Sequence, residues 1–170
     1  MNDEKAFQEG IGIVVGLYSS LSADFRTELD ALIEGMAADK AEMARIVCNA
    51  GSPLICSECL GQCCLNGKYR LTVLDAISVI STGVELPKPD FRQKPLCPYS
   101  GPGGCLMGPE TRPLDCILFI CDRLDSRIDD AGKTGLETLE QKLRGAVAEA
   151  WEILKMQPDR PLLLVTEGQI

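Results

Sequence analysis

Four cysteines within nine residues constrain this chain more than any other feature of its sequence. The stretch reads Cys56-Ser-Glu-Cys59-Leu-Gly-Gln-Cys63-Cys64, and four more cysteines follow before residue 122. Eight of the nine cysteines in the chain therefore lie in the window 56–121. Thiolate sulfur is a soft, strongly donating ligand that completes zinc sites and holds iron–sulfur clusters. A fold that gathers so many thiols is most simply explained by such a metal or cluster.

A cysteine-rich chain can also form a disulfide framework, and the cellular compartment decides between disulfides and metal ligation. The chain starts with acidic rather than basic residues and shows no signal-peptide cleavage site, while the apolar run 11–17 is too short to span a bilayer. Disulfides persist in oxidising compartments and are rare in the cytoplasm. We therefore expect a cytoplasmic protein without membrane association, in which the cysteines are metal ligands.

The net charge of −8 argues against a nucleic-acid partner, because phosphate binding needs clustered Lys and Arg. The charge is also unevenly distributed. Residues 1–55 hold 4 basic and 9 acidic side chains and residues 122–170 hold 7 and 10, whereas the cysteine window 56–121 holds 6 of each. Bound thiolates add negative charge of their own, so this neutral window favours metal ligation.

Apolar periodicity outside the window predicts a mainly helical fold. A helix over 3–20 and a second from Ser22 to about Cys48 are expected to form an antiparallel hairpin. Glycines in the first helix mark either a dimer contact or an internal packing face. Thr134 has the spacing of a capping box with Glu137 and opens a helix through about Met156. The predicted buried faces are Phe7, Ile11, Val14, Tyr18 and Leu21 in the first helix, Phe25, Leu29, Leu32, Met36, Met43 and Ile46 in the second, and Leu136, Leu139, Leu143, Val147, Ala150, Trp151 and Leu154 in the last.

Little regular structure is predicted around the cysteines. A turn at Asn66 leads to Thr72, which forms a capping box with Asp75 and opens a helix that Gly83 closes. Asp75 is therefore interpreted as a helix cap rather than an acid or base. Residues 84–113 are predicted to be irregular, 114–121 to form a short strand or a helical turn, and 162–165 to form an edge strand.

Together these patterns predict one compact, mainly α domain with an irregular cysteine-rich metal-binding centre and at most one or two short strands. Its parts are an N-terminal helical hairpin over 1–50, the cysteine-cluster metal-binding region over 51–122, and a C-terminal helix and tail over 123–170.

The spacing of the cysteines leaves the metal open. Cys56 and Cys59 form the usual two-ligand clip, but zinc ribbons need two such clips and ferredoxin cluster runs are not intact here. Adjacent side chains generally diverge, so Cys63 and Cys64 indicate either two metal centres close together or one ligand beside one packed thiol. Cys48, at the end of the second helix, is left outside the ligand set.

The order of these cysteines resembles the bacterial zinc- or iron-chelating domain of the YkgJ type, a CxxCxxCC cysteine-cluster family that also embraces flagellin lysine-N-methylases. The match over 56–121 includes Cys-Pro-Tyr with a following Gly-Cys, then Arg-Pro-x-x-Cys and a final Cys, and Leu71, Thr72 and Asp75 fall on the family's Leu-Thr-x-x-Asp. This chain has three residues rather than two between its second and third cysteines. The resemblance implies an iron–sulfur cluster, or zinc, on the following ligands: Cys56, Cys59, Cys63, Cys64, Cys97, Cys105, Cys116 and Cys121.

Three functions follow as expectations. The first is an iron–sulfur protein that acts in electron transfer or redox sensing. The second is a structural zinc-binding module that presents its helices to a partner. The third is a methyl-transfer enzyme, by analogy with the methylases, ranked last because no glycine-rich nucleotide loop is present. No catalytic residue is assigned, since histidine, the common general base, is absent. A protein partner or a homodimer is expected.

Arg112 is the candidate cofactor-binding residue besides the cysteines. Its guanidinium is suited to hydrogen-bond a cluster sulfide or a thiolate. An arginine before proline also often pairs with a carboxylate, and the sequence leaves the two roles open.

Overall fold

The structure is a computed structural model that describes residues 2–59, 62–65 and 67–166. The turn predicted at Asn66 and two residues of the Cys59–Cys63 spacing, Leu60 and Gly61, lie outside this description. Within the described residues the protein is mainly α-helical, which confirms the predicted fold class. The seven helices are α1 (Asp3–Ser20), α2 (Ala23–Asn49), α3 (Ser52–Glu58), α4 (Val73–Thr82), α5 (Leu114–Leu118), α6 (Asp122–Asp125) and α7 (Asp130–Leu154).

The remaining regular structure is small. One antiparallel pair, β1 (Ser100–Gly101) and β2 (Gly104–Cys105), lies inside the stretch 84–113, which is otherwise irregular as predicted. Short 3-10 turns cover Gln62–Cys64, Gly67–Tyr69 and Leu162–Leu164. Throughout the part of the chain that is described, helices lack the combination of length and apolar character needed to cross a membrane.

Local capping signals fix the first two helices. The Asn2 side chain accepts from the Glu4 N–H at 3.1 Å, and α1 then covers residues 3–20 as predicted. The Ser22 hydroxyl accepts from the Phe25 N–H and starts α2, whose buried stripe includes the predicted Leu29 but not Phe25, which is 47 % exposed.

The two helices pack against different partners rather than along each other as the predicted hairpin. α1 lies on α4 and on the turn 162–164, whereas α2 packs along α7. They are linked near their connection, where the Tyr18 hydroxyl donates to Asp30 at 2.7 Å. Gly10 serves the internal packing, because a Cβ there would lie 2.7 Å from the Leu162 carbonyl oxygen.

The C-terminal helix begins one turn earlier than predicted. The Asp129 carboxylate accepts from the Gly132 N–H at 2.8 Å and caps α7, while the Thr134 hydroxyl donates to the Asp130 carbonyl inside the helix. The prediction of a capping box at Thr134 is therefore wrong, because this residue lies inside the helix. Trp151, predicted to be buried, is 48 % exposed.

The predicted edge strand at 162–165 is also wrong, because the segment closes a 3-10 turn, with the Leu164 N–H bonded to the Pro161 carbonyl at 2.9 Å. The segment 114–121 was predicted as a short strand or a helical turn, and the structure forms a helical turn over Leu114–Leu118.

Candidate metal centre

The eight cysteines of the window come from six short pieces of the chain. Cys56 lies in α3 and Cys59 caps its end, Cys63 and Cys64 share a 3-10 turn, and the others lie on a turn, β2, α5 and the start of α6. We call the following eight residues the thiol centre: Cys56, Cys59, Cys63, Cys64, Cys97, Cys105, Cys116 and Cys121. All are free thiols, and all but two of them, Cys63 and Cys105, are partly buried.

Local backbone structure places these thiols. The three-residue separation of Cys56 and Cys59 puts both on the same side of α3. Cys97 starts a turn in which its carbonyl accepts from the Ser100 N–H at 3.0 Å, and the backbone of Tyr99 partly offsets the rise that burial causes in the pKa of the Cys97 thiol. Gly67 packs directly against this turn, since a Cβ at Gly67 would lie 2.6 Å from the Cys97 Cβ.

The thiols that raise one another's pKa indicate which sulfurs are neighbours. Burial raises the pKa of Cys56, and Cys59, Cys63 and Cys121 raise it further. We call these four residues the first thiol neighbourhood. Thiols at this range favour each other's protonated form, because two like charges at close range repel.

A second thiol neighbourhood consists of Cys64, Cys97, Cys105 and Cys116. Burial raises the pKa of Cys64 to about 12, with further contributions from Cys63, Cys97 and Cys105. Burial also raises the pKa of Cys116 to about 12, and Cys97 and Cys105 add to it. The two neighbourhoods are continuous, because Cys63 also raises the pKa of Cys64 and of Cys97, and its Sγ lies 4.0 Å from that of Cys64.

Each neighbourhood has one arginine whose positive charge opposes these shifts. Arg112 acts on Cys56 in the first neighbourhood, and Arg70 acts on Cys97 and Cys116 in the second. A cation beside a thiol favours the thiolate, which is the form that binds metals. Arg112 Nη2 donates to the Met107 carbonyl at 3.2 Å rather than to a carboxylate.

Buried hydrogen-bond donors that lack an acceptor are one test of whether these residues fit a metal centre. Among the described residues three buried side-chain atoms have no hydrogen-bond partner: Arg26 Nε, Tyr99 Oη and Arg112 Nε. Two of them belong to residues beside the thiol centre, one near Cys56 and one near Cys97. Buried donors are rarely left unpaired, and metal-bound sulfur is an acceptor that such donors commonly find. The cysteine donor set therefore fits a thiophilic metal in its chemistry, whereas neither of these two donors makes a hydrogen bond to a cysteine sulfur in the structure.

The arrangement does not fit one ion held by closely packed ligands. Across residues 2–59, 62–65 and 67–166, no group of three or more His, Cys, Asp or Glu side chains has the arrangement that would hold a single metal ion. A cluster binds its thiolates through different metal atoms, so its ligand sulfurs need not meet around one point.

A buried ion pair positions the chain segment that leads to Cys116. The Lys40 ammonium donates to Asp75 Oδ1 at 3.1 Å and to the Arg112 carbonyl at 2.9 Å. Asp75 Oδ2 accepts from the Thr72 N–H and hydroxyl at 3.1 and 2.7 Å, which forms the predicted capping box of α4.

A second ion-pair group ties the N-terminus to two cysteine-bearing segments. Asp3 accepts from Lys68 at 2.9 Å and pairs with Lys94 at 3.0 Å. Lys68 follows Cys64 and Lys94 precedes Cys97, so one carboxylate holds both segments. The two lysines lower the pKa of Asp3, Lys68 by the larger amount.

Sequence reasoning missed Lys40, Arg70 and Tyr99. Lys40 was detectable as a charge on the apolar face of α2, four residues after Met36 and three before Met43. The roles of Arg70 and Tyr99 depend on packing between distant segments, and no local pattern signals them.

Comparison of the chain with protein-family models, with curated proteins and with solved structures finds no match.

Proposed function

We propose that the thiol centre binds an iron–sulfur cluster and that the protein transfers electrons or senses redox state. The observation that carries this proposal is the combination of an all-cysteine donor set with orphaned buried donors on Arg112 and Tyr99. Hydrogen bonds to cluster sulfur are among the main means by which a protein sets a cluster's potential.

The ligands would come from Cys56, Cys59, Cys63, Cys64, Cys97, Cys105, Cys116 and Cys121, which suffice for two clusters because each takes four thiolates. Bound there, a cluster would supply one-electron redox chemistry. The protein's own contribution is to bury most of these sulfurs partly, to oppose their negative charge with Arg70 and Arg112, and to offer the Arg112 Nε as a donor.

Structural zinc is the second candidate, and one distance favours it. The 4.0 Å between the sulfurs of Cys63 and Cys64 is close to the edge of a zinc–thiolate tetrahedron, about 3.8 Å for a Zn–S bond of roughly 2.3 Å. Among the described residues, however, no three thiols are arranged to hold a single ion, which favours the cluster.

Exposed apolar side chains near the cysteines support a protein partner or a second copy of this chain. Leu54, Leu65, Leu106 and Phe119 are 60, 48, 52 and 54 % exposed, and each lies within two residues of a cysteine of the thiol centre. A redox partner has to approach the centre closely, and covering these side chains would accompany that approach. Light scattering on the purified protein separates a homodimer from a monomer that awaits another partner. The free thiols also support a reducing location, for which we propose the cytoplasm.

The test is anaerobic purification followed by analysis for iron, zinc and acid-labile sulfide. An iron–sulfur protein is brown and contains iron and sulfide in comparable amounts. Cys116→Ser should lose most of this content, whereas the matched control Cys48→Ser, at an exposed thiol outside the centre, should keep it. Zinc without sulfide would establish the structural alternative, and a protein that takes up neither metal would overturn both.

A further inference from the structure

The single tryptophan of the chain lines an open groove on the surface of α7. Trp151 is 48 % exposed, and the groove in front of it has a volume of about 360 Å³. We call this feature the Trp151 groove, and it is lined by Arg144, Val147, Ala148, Trp151, Glu152 and Asp159. Tryptophan is among the residues most enriched where binding energy is concentrated in protein interfaces. The groove is built from segments that carry no cysteine of the thiol centre, so it is a separate site.

The fold holds both walls of the Trp151 groove in place. One wall is the C-terminal part of α7, which packs along α2. The other contains Asp159, whose neighbours in the chain are bonded to the start of α4. The Pro158 carbonyl accepts from the Leu74 N–H at 2.9 Å, and the Arg160 carbonyl accepts from the Val73 N–H at 3.0 Å. The groove is therefore formed before a ligand binds, which lowers the entropic cost of binding.

The charges around the groove leave one carboxylate without a partner. Arg144 pairs with Glu140 at 2.7 Å, and Glu152 pairs with Lys155 at 3.0 Å. Within the described residues, the Asp159 carboxylate makes no ion pair or hydrogen bond. The last turn of the described helix α7 also holds no basic residue, although the C-terminal end of a helix carries partial negative charge that favours a cation. An exposed indole beside these negative groups is suited to a positively charged ligand.

We propose that the Trp151 groove is a docking site for an arginine side chain of a protein partner. The guanidinium stacks on the indole of Trp151 and donates to the Asp159 carboxylate. Arginine suits both contacts better than lysine, because its planar group stacks on aromatic rings and can form two parallel hydrogen bonds with a carboxylate. Sites for free small molecules enclose most of their ligand, whereas this groove is open to solvent along one side. The inference does not depend on the metal proposed for the thiol centre.

The experiment uses the full chain and a peptide of three arginines separated by glycines. Binding is measured by the anisotropy of a dye on the peptide. The emission of the single tryptophan, recorded with unlabelled peptide, shows whether the peptide reaches the groove. We expect saturable binding with a change in the indole emission. A peptide with citrulline, which has the shape of arginine without its charge, should bind about 5-fold more weakly or not at all.

Two substitutions distinguish this site from a general attraction of a cationic peptide to a chain of net charge −8. Trp151→Leu should weaken binding of the arginine peptide about 3-fold or more, because the cation–π contact is lost. Asp159→Asn should weaken it about 2- to 5-fold. The matched control is Glu137→Gln, which removes the same charge from an exposed position about four turns earlier on α7 and should bind like the wild type.

Equal binding of the arginine and citrulline peptides would overturn the inference, as would an indole emission that stays constant while the peptide binds. Equal effects of Asp159→Asn and Glu137→Gln would also overturn it, and this pair decides the matter if Trp151→Leu does not fold. A dimer that the arginine peptide dissociates, seen by light scattering, would make a second copy of this chain the occupant and overturn the assignment to another protein. All of these results are independent of metal uptake, so this inference and the proposed function fail separately.

Discussion

Lys40 Nζ lies 3.1 Å from Asp75 Oδ1, and both side chains are almost completely buried, at 4 and 3 % exposure. The same ammonium donates to the Arg112 carbonyl, and the same carboxylate caps α4. One ion pair therefore joins α2, α4 and the segment that enters Cys116. The position of that segment depends on a residue far outside the cysteine window.

Lys40→Met should be strongly destabilising, because it leaves the Asp75 charge buried without its partner. The expected loss is about 3–5 kcal/mol in the free energy of unfolding, measured by urea denaturation. Adding Asp75→Asn removes the stranded charge and should recover part of the loss. The control is Arg45→Met, which breaks the exposed pair with Glu42 and should leave stability nearly unchanged. Equal effects of the two single variants would contradict the role of the buried pair.

Gly67→Ala should disturb the thiol centre directly. A Cβ at this position would lie 2.6 Å from the Cys97 Cβ and 3.0 Å from its Sγ, so the cysteine turn has to shift. We expect a loss of about 1–3 kcal/mol in stability, as for other overpacked sites, and a lower Zn²⁺ affinity in chelator competition. Gly103→Ala, between β1 and β2, meets nothing within 4 Å and should bind Zn²⁺ like the wild type. Normal binding by both variants would show that Cys97 is not a ligand.

Two glycines of α1 should respond to alanine with opposite signs. At Gly10 the new methyl group would clash with Leu162, so Gly10→Ala should cost about 1–3 kcal/mol. At Gly12 it would meet open space, so Gly12→Ala should stabilise by about 0.5–1 kcal/mol through better helix propensity. Thermal unfolding of the two variants checks the packing of α1 on the turn 162–164. A stabilising Gly10→Ala would mean that this packing is wrong.

The Asp3 group predicts a pH dependence in acid. Because its two lysine partners lower the pKa of Asp3 in the folded protein, the group stabilises the fold above its unfolded pKa of about 4. This contribution is lost as pH falls through the lower folded pKa. Asp3→Asn should therefore cost about 1 kcal/mol near pH 6 and progressively less as pH falls below about 4, measured by urea denaturation at each pH. Glu149→Gln, at an exposed position of α7, should show no such convergence, and a constant difference for Asp3→Asn would refute the assignment.

Helix boundaries were predictable where the signal was local. Ser22 and Thr72 each precede an apolar run and accept from a backbone N–H three residues on, and the structure shows both caps. The predicted start of α7 was wrong because the sequence offers two capping residues, and Asp129, which caps the helix, lies a turn ahead of Thr134. The strand predicted after Pro161 failed because pairing ends at the isolated bridge between Thr72 and Pro161, after which the chain turns over Leu162–Leu164 and Leu162 packs against Gly10.

The candidate site was predictable as a set of residue types but not as an arrangement. The cysteines and Arg112 stand out in the sequence, whereas the separation into two thiol neighbourhoods depends on how six segments fold together. Lys40 and Asp75 are 35 residues apart, and the orphaned Tyr99 hydroxyl is visible only once its burial is known. Contacts between distant segments have no signature in a single sequence.

Cys63 and Cys64 occupy one short turn yet belong to different thiol neighbourhoods. Fixing the first of these residues on a metal also restricts the backbone of the second, so part of the ordering entropy for the other half is lost only once. If the thiol centre holds metal in both neighbourhoods, we therefore expect their loading to be cooperative. A metal titration would then rise sigmoidally, with half-filled molecules scarce at every stage.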